Sequence, residues 1–404
     1  MNEQEFSYWL TFDRLRGVGL GSKRISLLYE HFGSLKLAWH ADRADLLQVQ
    51  ALPVSSIDKF LQRRDEYSLE ESLELLDRYD IKAFTRLSPD YPSQCLQLSS
   101  PPLILYVKGR WDLSWLSKAI AMVGTRQASQ YGFDQTLILS SQLSSLGFAV
   151  ISGIAAGIDE AAHSGALKSK TGGCSIAVVA SGVDQIVPQR SKIIYQLLCE
   201  KGAIVSEYPP GTLPERGFFP ARNRIIAALS QAVLVSEAGE QSGALITAQR
   251  AFELNKQVFC LAGRADNPVS KGGHWWVRKG RAKLITCYED VLEEMGYEKE
   301  QLINSQQIIS ETDLLRFGYE EQKAISPPSP EMPIEIAPKK KEIDLAELGE
   351  TERTIYQILK QGQSLTIDQL VEQYKLPIGK INSALLKLTF KEIIKRKGRE
   401  ILLL

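Results

Sequence analysis

Residues Ser152–Leu167, read as SGIAAGIDEAAHSGAL, put two glycines, an aspartate and a histidine where a strand gives way to a helix. The apolar run FAVIS before them reads as a buried strand, and Gly153 and Gly157 would let backbone amides approach a phosphate at its end, together with Ser152. The chemistry on offer is anion binding. The spacing departs from G-x-G-x-x-G, and Asp159 and Glu160 fall in the first helical turn, competing with a pyrophosphate for the positive end of the helix dipole. A nicotinamide dinucleotide is therefore disfavoured. Asp159 and His163 are four apart and share a helix face, but no Ser or Cys is placed by sequence as their nucleophile. No catalytic residue is assigned, and Gly157, Asp159 and His163 are expected to shape the loop.

Three more segments fall at the carboxyl ends of expected strands, the edge where open α/β sheets bind ligands. VGTR offers Gly124 for a sharp exit and Arg126 either as a fork for phosphate or as a surface ion-pair member. FFPARNRIIA joins Phe218 and Phe219 to Arg222, Asn223 and Arg224, which read either as a base-stacking and phosphate-neutralising set or as core aromatics beside a solvated face. SEAGEQSGALITAQRA presents Ser242 and Gly243 at a helix start, where free amides and a hydroxyl suit an anion. Between Arg222 and Lys283 stand ten basic residues, Lys271 among them, against four acids, although the whole chain balances 48 Lys+Arg with 48 Asp+Glu. Such a local excess is what a phosphate-tracking groove requires. The four histidines are not paired with cysteine at ligand spacing, so no metal and no cofactor is expected.

Several kinds of element must hold these segments. Apolar runs at 119–123, 148–152, 175–180, 203–207, 232–236 and 257–262 alternate with amphipathic stretches, which predicts a mostly parallel sheet covered on both faces, a Rossmann-like doubly wound α/β domain over 86–300. Before it, helical periodicity over 1–85 predicts a small helical domain. Its segment Leu15–Ile25 sets Gly17 and Gly19 between two helices, either as a tight turn or as a hairpin presenting amides to a DNA phosphate. Prolines at 327, 328, 330, 333 and 338 mark 301–345 as a linker. The remainder, 346–404, reads as three helices and a β-hairpin turning near Lys397-Gly398, the plan of a winged helix, with a recognition helix from about Pro377 to Phe390. Seven basic residues against one acid from Lys380 to Arg399 point to duplex DNA, while the same plan also serves protein docking. Five scattered cysteines without C-x-x-C, no signal-like start and no membrane-length apolar run lead to the expectation of a cytoplasmic protein without a membrane partner.

The motifs VGTRQASQYG, SGIAAGIDEAAHSGAL, SGVDQIVP, SEYPPGTLPERGFFPARNRIIAALS and EAGEQSGALITAQRAFELNKQVFCLAGR, in that order over roughly 91–285, resemble the DNA-processing protein A (DprA/Smf) family. The flanking segments are similar to that family's accessory domains, of SAM or helix-hairpin-helix kind in front and winged-helix kind behind. The resemblance implies a non-enzymatic, dimeric protein that binds single-stranded DNA, protects it and helps load the RecA recombinase, as in natural transformation. It further implies a DNA-binding set of Gly124, Arg126, Ser152, Gly153, Phe219, Arg222, Asn223, Arg224, Ser242, Gly243, Thr247 and Lys271. The chain departs from the family pattern at Ala244, Ala262 and His274-Trp275-Trp276, and the two tryptophans stand either as base-stacking rings or as packing. The rival reading is a phosphoribohydrolase-like enzyme on a related sheet, whose PGG-x-GT-x-x-E motif corresponds here to EAGEQSGALITA, without the paired glycines and the glutamate. A third is a regulator that binds duplex DNA through the winged helix alone and keeps the sheet for a small effector.

Overall fold

The computed structural model describes residues 2–169 and 174–298, then 349–360, 365–366, 369–370, 381, 384–385, 388, 394–397 and 400–403. The linker expected over 301–345 and most of the expected recognition helix lie outside the described residues. Contacts divide the chain into two compact units, Met1–Pro327 and Pro328–Leu404.

In the first unit, six helices precede the sheet: α1 (Glu3–Arg14), α2 (Ser22–Phe32), α3 (Leu35–His40), α4 (Arg43–Leu47), α5 (Val54–Arg63) and α6 (Leu69–Tyr79). Side chains of Asn2, Ser34, Asp42 and Ser68 accept hydrogen bonds from the first-turn amides of α1, α3, α4 and α6, the stop-and-start chemistry that packs short helices tightly. Phe12 stacks on Phe60 at 5.3 Å and meets Trp39 edge-on at 5.3 Å, giving the module an aromatic centre.

The sheet has nine strands: β1 (Ile81–Thr85), β2 (Ile104–Gly109), β3 (Ala119–Val123), β4 (Ala149–Ser152), β5 (Ser175–Val178), β6 (Ala203–Ser206), β7 (Ala232–Val235), β8 (Gln257–Leu261) and β9 (Lys283–Ile285). Their spatial order is β1-β2-β6-β5-β4-β3-β7-β8-β9. The block from β6 to β9 is parallel, and the pairs β1/β2 and β2/β6 are antiparallel. The six expected strands are all present, each shortened by no more than two residues or unchanged. Ile81–Thr85, expected within the helical domain, instead forms the outermost strand, so the sheet begins before residue 86.

Between and after the strands run α7 (Ser93–Leu96), α8 (Gln130–Ser145), α9 (Ile158–Lys168), α10 (Lys192–Lys201), α11 (Phe218–Leu229), α12 (Ala244–Glu253), α13 (Lys271–Arg278) and α14 (Tyr288–Glu294). Strands β3, β4, β5, β6 and β7 are buried at every residue, as expected of a sheet covered on both faces. One core cluster runs from Trp9, Phe12 and Phe60 to Ile104, Tyr106 and Ile204, so the helical module and the sheet share apolar interior. The order reverses at β3: β4 lies on one side of it and β7 on the other. That switch point is where such sheets open a crevice at their carboxyl edge.

In the second unit, α15 (Glu350–Lys360) is followed by β10 (Leu365–Thr366), β11 (Ile394–Lys397) and β12 (Glu400–Leu403), paired antiparallel with β12 in the middle. Ile381, Ala384, Leu385 and Leu388 are helical and buried, at the three- and four-residue spacing of one helix face.

Candidate nucleic-acid interface

A cleft of about 470 Å³ opens at the carboxyl ends of β3 and β7. Gly124, Arg126, Phe219, Arg222, Asn223, Ser242, Gly243 and Thr247, from three sequence segments, line it together with Ala155 and Asp159 of the fourth. The first turns of α11 and α12 border it through Phe219-Pro220 and Ser242–Ala244; their N-cap residues, Gly217 and Gly243, have no side chain to offer, and at α12 the Ser242 hydroxyl accepts from the Ala244 amide at 3.3 Å. The positive ends of two helix dipoles make the site attractive to an anion.

Arg126 is the exposed cation of this cleft. Its guanidinium lies 5.3 Å over the Phe219 ring, and it makes no ion pair among the described residues. The loop beneath it is anchored from three sides. The Thr125 amide donates to the Glu237 carbonyl at 2.7 Å, and the Ile158 amide donates to the Thr125 carbonyl at 3.2 Å. Glu237, 1 % exposed, accepts from the Ser129 amide at 2.8 Å and the Ser129 hydroxyl at 2.6 Å. Gly157, at φ +75°, passes so close that a Cβ there would lie 2.6 Å from the Thr125 oxygen. Gly124 is required for a similar reason, since a Cβ would strike Ile158 and the Glu237 carbonyl. Glu237 is the residue that sequence reasoning missed, having counted it only as an acid against the basic excess. Its position immediately beyond a buried strand, VLVSE, was the available signal.

The arginines of α11 do not act alike. Arg222 is 5 % exposed and donates to the carbonyls of Gly153, at 2.7 Å, and Val178, and to Asn223 Oδ1 at 3.1 Å. Asn223 in turn donates to the Gly243 carbonyl at 3.3 Å. This relay ties the ends of β4 and β5 to the start of α12, so Arg222 chiefly organises the cleft wall. Burial pushes its pKa down, Asp159 nearby opposes that shift, and Arg126 adds to it. Gly153 is glycine because a Cβ would overlap the Arg222 guanidinium at 2.4 Å, and it lines a neighbouring hollow rather than this cleft. Arg224 points elsewhere: its Nη2 is 2.7 Å from Glu207, which also meets Arg16 of the helical module at 3.4 Å. Asp13, fully buried, accepts from Arg16 at 2.6 Å and from the Tyr106 hydroxyl at 2.9 Å, completing a charged seam between the module and the sheet.

Other expected positions are also reassigned. Ser152 is fully buried and its hydroxyl donates to the Met122 carbonyl at 2.6 Å, a tie between β4 and β3 with no face to the cleft. Lys271 is exposed at the start of α13 and is not among the lining residues. Of the ten basic residues from Arg222 to Lys283, only Arg222 lines this cleft. Arg224, Arg250, Arg264 and Lys283 pair with carboxylates, and Lys256 caps the end of α11 through three carbonyls. The local charge excess therefore overstated the free charge.

Asp159 and His163 are buried, and Asp159 also lines the cleft. Asp159 accepts from the Ala155 amide at 3.2 Å, and its pKa is raised by burial against the opposing pull of Arg222. His163 is fully buried, with Nδ1 2.8 Å from the Ser175 hydroxyl; burial, helped by Arg222, pulls its pKa down to about 3. Beyond Phe219, a more apolar hollow of about 360 Å³ is lined by Ile154, Val179, Ala180, Pro188 and Pro214, and shares Arg126 and Phe219 with the cleft. Trp276 is packed at 4 % exposure, whereas Trp275 is 37 % exposed. Among the described residues there is no group of three or more His, Cys, Asp or Glu that could hold a metal, no helix is long and apolar enough to cross a membrane, and all five thiols are free.

Comparison with known proteins gives concordant matches. The family model described as DNA recombination-mediator protein A matches residues 82–296. The protein Smf of a Synechocystis species is 33 % identical over 98 % of this chain and 98 % of its own length. The DNA processing protein DprA of Streptococcus pneumoniae is 38 % identical over 53 % of this chain and 74 % of its own. The X-ray structure of DNA processing protein A from Streptococcus pneumoniae superposes with a TM-score of 0.61 at 31 % identity, covering 70 % of this chain and 96 % of that one.

Proposed function

The chain belongs to the DNA recombination-mediator protein A family, one of recombination mediators rather than enzymes, and within it we propose that this protein binds single-stranded DNA in the cleft at the β3/β7 switch point. One observation carries the reading: Arg126, without a carboxylate partner among the described residues, lies over Phe219 in the cleft bordered by the first turn of α12. A phosphate has an arginine fork, a hydroxyl from Ser242 and a helix dipole to meet, and Phe219 offers an aromatic face beside an apolar hollow for a base.

Duplex DNA suits the cleft poorly, because stacked and paired bases cannot reach a recessed ring. The binding set proposed for the strand is Gly124, Arg126, Phe219, Asn223, Ser242, Gly243 and Thr247, held in place by Arg222. Protection of the strand, loading of the RecA recombinase onto it, and assembly as a homodimer in the cytoplasm complete the proposal, in line with relatives named as DNA processing proteins. The second unit is proposed as a docking module for duplex DNA or a protein.

The test is a titration of labelled single-stranded and double-stranded oligonucleotides against the full chain at two salt concentrations. Preferential single-strand binding that weakens steeply with salt is expected. A strong duplex preference would move DNA recognition to the second unit and overturn the assignment of the cleft.

A further inference from the structure

A second groove, of about 730 Å³, runs between α12 and α13. Ser242 and Ile246 line both this groove and the cleft, so the two are continuous around the first turns of α12. Its walls differ in chemistry from the cleft. Trp275 and Ile246 are each 37 % exposed and face it together with Gln249 and Arg281. The guanidinium of Arg281 lies 5.5 Å over Trp275, 6.0 Å over Trp276 and 5.9 Å over Phe252, so a flat cationic plane is layered among rings. Arg250, the other cation lining it, is spent on Glu253 at 2.8 Å. Glu253 is neutralised by Arg250, while the exposed carboxylate of Glu240 at the rim repels phosphates, so the aromatic and amide wall suits unpaired bases better than the sugar-phosphate backbone. Bases stack on indole rings and on guanidinium planes, and amide side chains meet their edges.

We infer that this groove holds the bases of the nucleotides that follow the one in the cleft, so that a bound strand turns around the start of α12 with its bases against Trp275 and Arg281. The inference rests on the single-strand reading of the cleft, and it extends the binding site to α13 and Arg281, which lie beyond the quoted motifs. The occupant is a flexible single strand because continuity through Ser242 and Ile246 requires the backbone to bend sharply within one helical turn.

The experiment is a ladder of labelled oligothymidylates, from about four to about sixteen nucleotides, titrated against the full chain as wild type, Trp275→Ala and Trp275→Phe. For the wild type, affinity is expected to step up once the oligomer outgrows the cleft. In Trp275→Ala the step shrinks by roughly tenfold with the shortest binding oligomers unaffected, and Trp275→Phe restores most of it. An identical ladder for wild type and Trp275→Ala overturns the inference while leaving the cleft intact. Loss of the step together with conversion of a dimer to a monomer in sedimentation also overturns it, since the face then joins two copies of the chain. No binding by the wild type at any length would instead remove the single-strand reading on which the inference stands.

Discussion

Replacing Arg126 and Arg224 separately by alanine distinguishes the cleft from its scaffold. Both residues belong to the motif set, yet only Arg126 is exposed and unpaired, while Arg224 lies 2.7 Å from a Glu207 carboxylate that is 5 % exposed. Removing Arg126 deletes one phosphate contact. The slope of log affinity against log salt should fall by about 0.7, the share of one contact on single-stranded DNA. A hydrogen bond to a charged group is worth roughly 1.5–3 kcal/mol, and solvent screening of an exposed arginine favours the lower end, so affinity at low salt should drop about tenfold. Removing Arg224 leaves Glu207 with Arg16 alone at 3.4 Å. Breaking a buried pair costs about 3–5 kcal/mol; because Arg224 is 18 % exposed and Arg16 remains, roughly 2–3 kcal/mol of stability is expected to be lost. Fluorescence anisotropy of a labelled oligothymidylate at four salt concentrations, with urea melts of each variant, reads both effects. An unchanged slope for Arg126→Ala refutes the cleft geometry. A lowered slope for Arg224→Ala with unaltered stability refutes the division of roles along α11.

Three further outcomes follow from buried groups and from the family assignment. Glu237→Ala removes the acceptor for both Ser129 donors and should cost roughly 2–3 kcal/mol in a denaturant melt, with weakened single-strand binding because the Arg126 loop loses its anchor. His163 is held neutral, with a folded pKa of about 3 against about 6.5 unfolded, so its contribution to stability is complete above pH 6.5 and declines as pH falls toward 3. Between pH 7.5 and 5.5 this amounts to roughly 1.4 kcal/mol, and His163→Gln should flatten that part of the pH dependence of the urea midpoint. Incubation with nucleoside monophosphates should release no free base, because Glu237, the acid at the end of β7, is 1 % exposed and bound to Ser129; sustained release by pure protein would contradict the family assignment.

Much of this architecture was legible in the chain. Uninterrupted apolar runs such as AIAMV and AVLVS leave no polar face, so they had to be strands buried on both sides, and their glycine-rich ends had to lie along one edge of a parallel sheet. That is enough to bring VGTR, FFPARN and EQSGAL together without knowing any distance. Ile81–Thr85 escaped because IKAFT has only weak alternation, and its strand character comes from antiparallel pairing with the distant strand β2, from Thr85↔Ile104 to Ile81↔Lys108. Within the site, the sequence could name the arginines but not their directions. Arg222 and Arg224 are two residues apart on α11, about 200° around the helix, so they face opposite ways. Which one reaches the cleft depends on the azimuth of α11, set when Ile225, Ile226 and Leu229 bury themselves against the sheet. The sequence by itself therefore determined the fold and the sheet edge where the glycine- and arginine-bearing segments meet. The tertiary structure alone decided which cations stay free, because a charge is available to a phosphate only where no carboxylate or carbonyl has been packed against it.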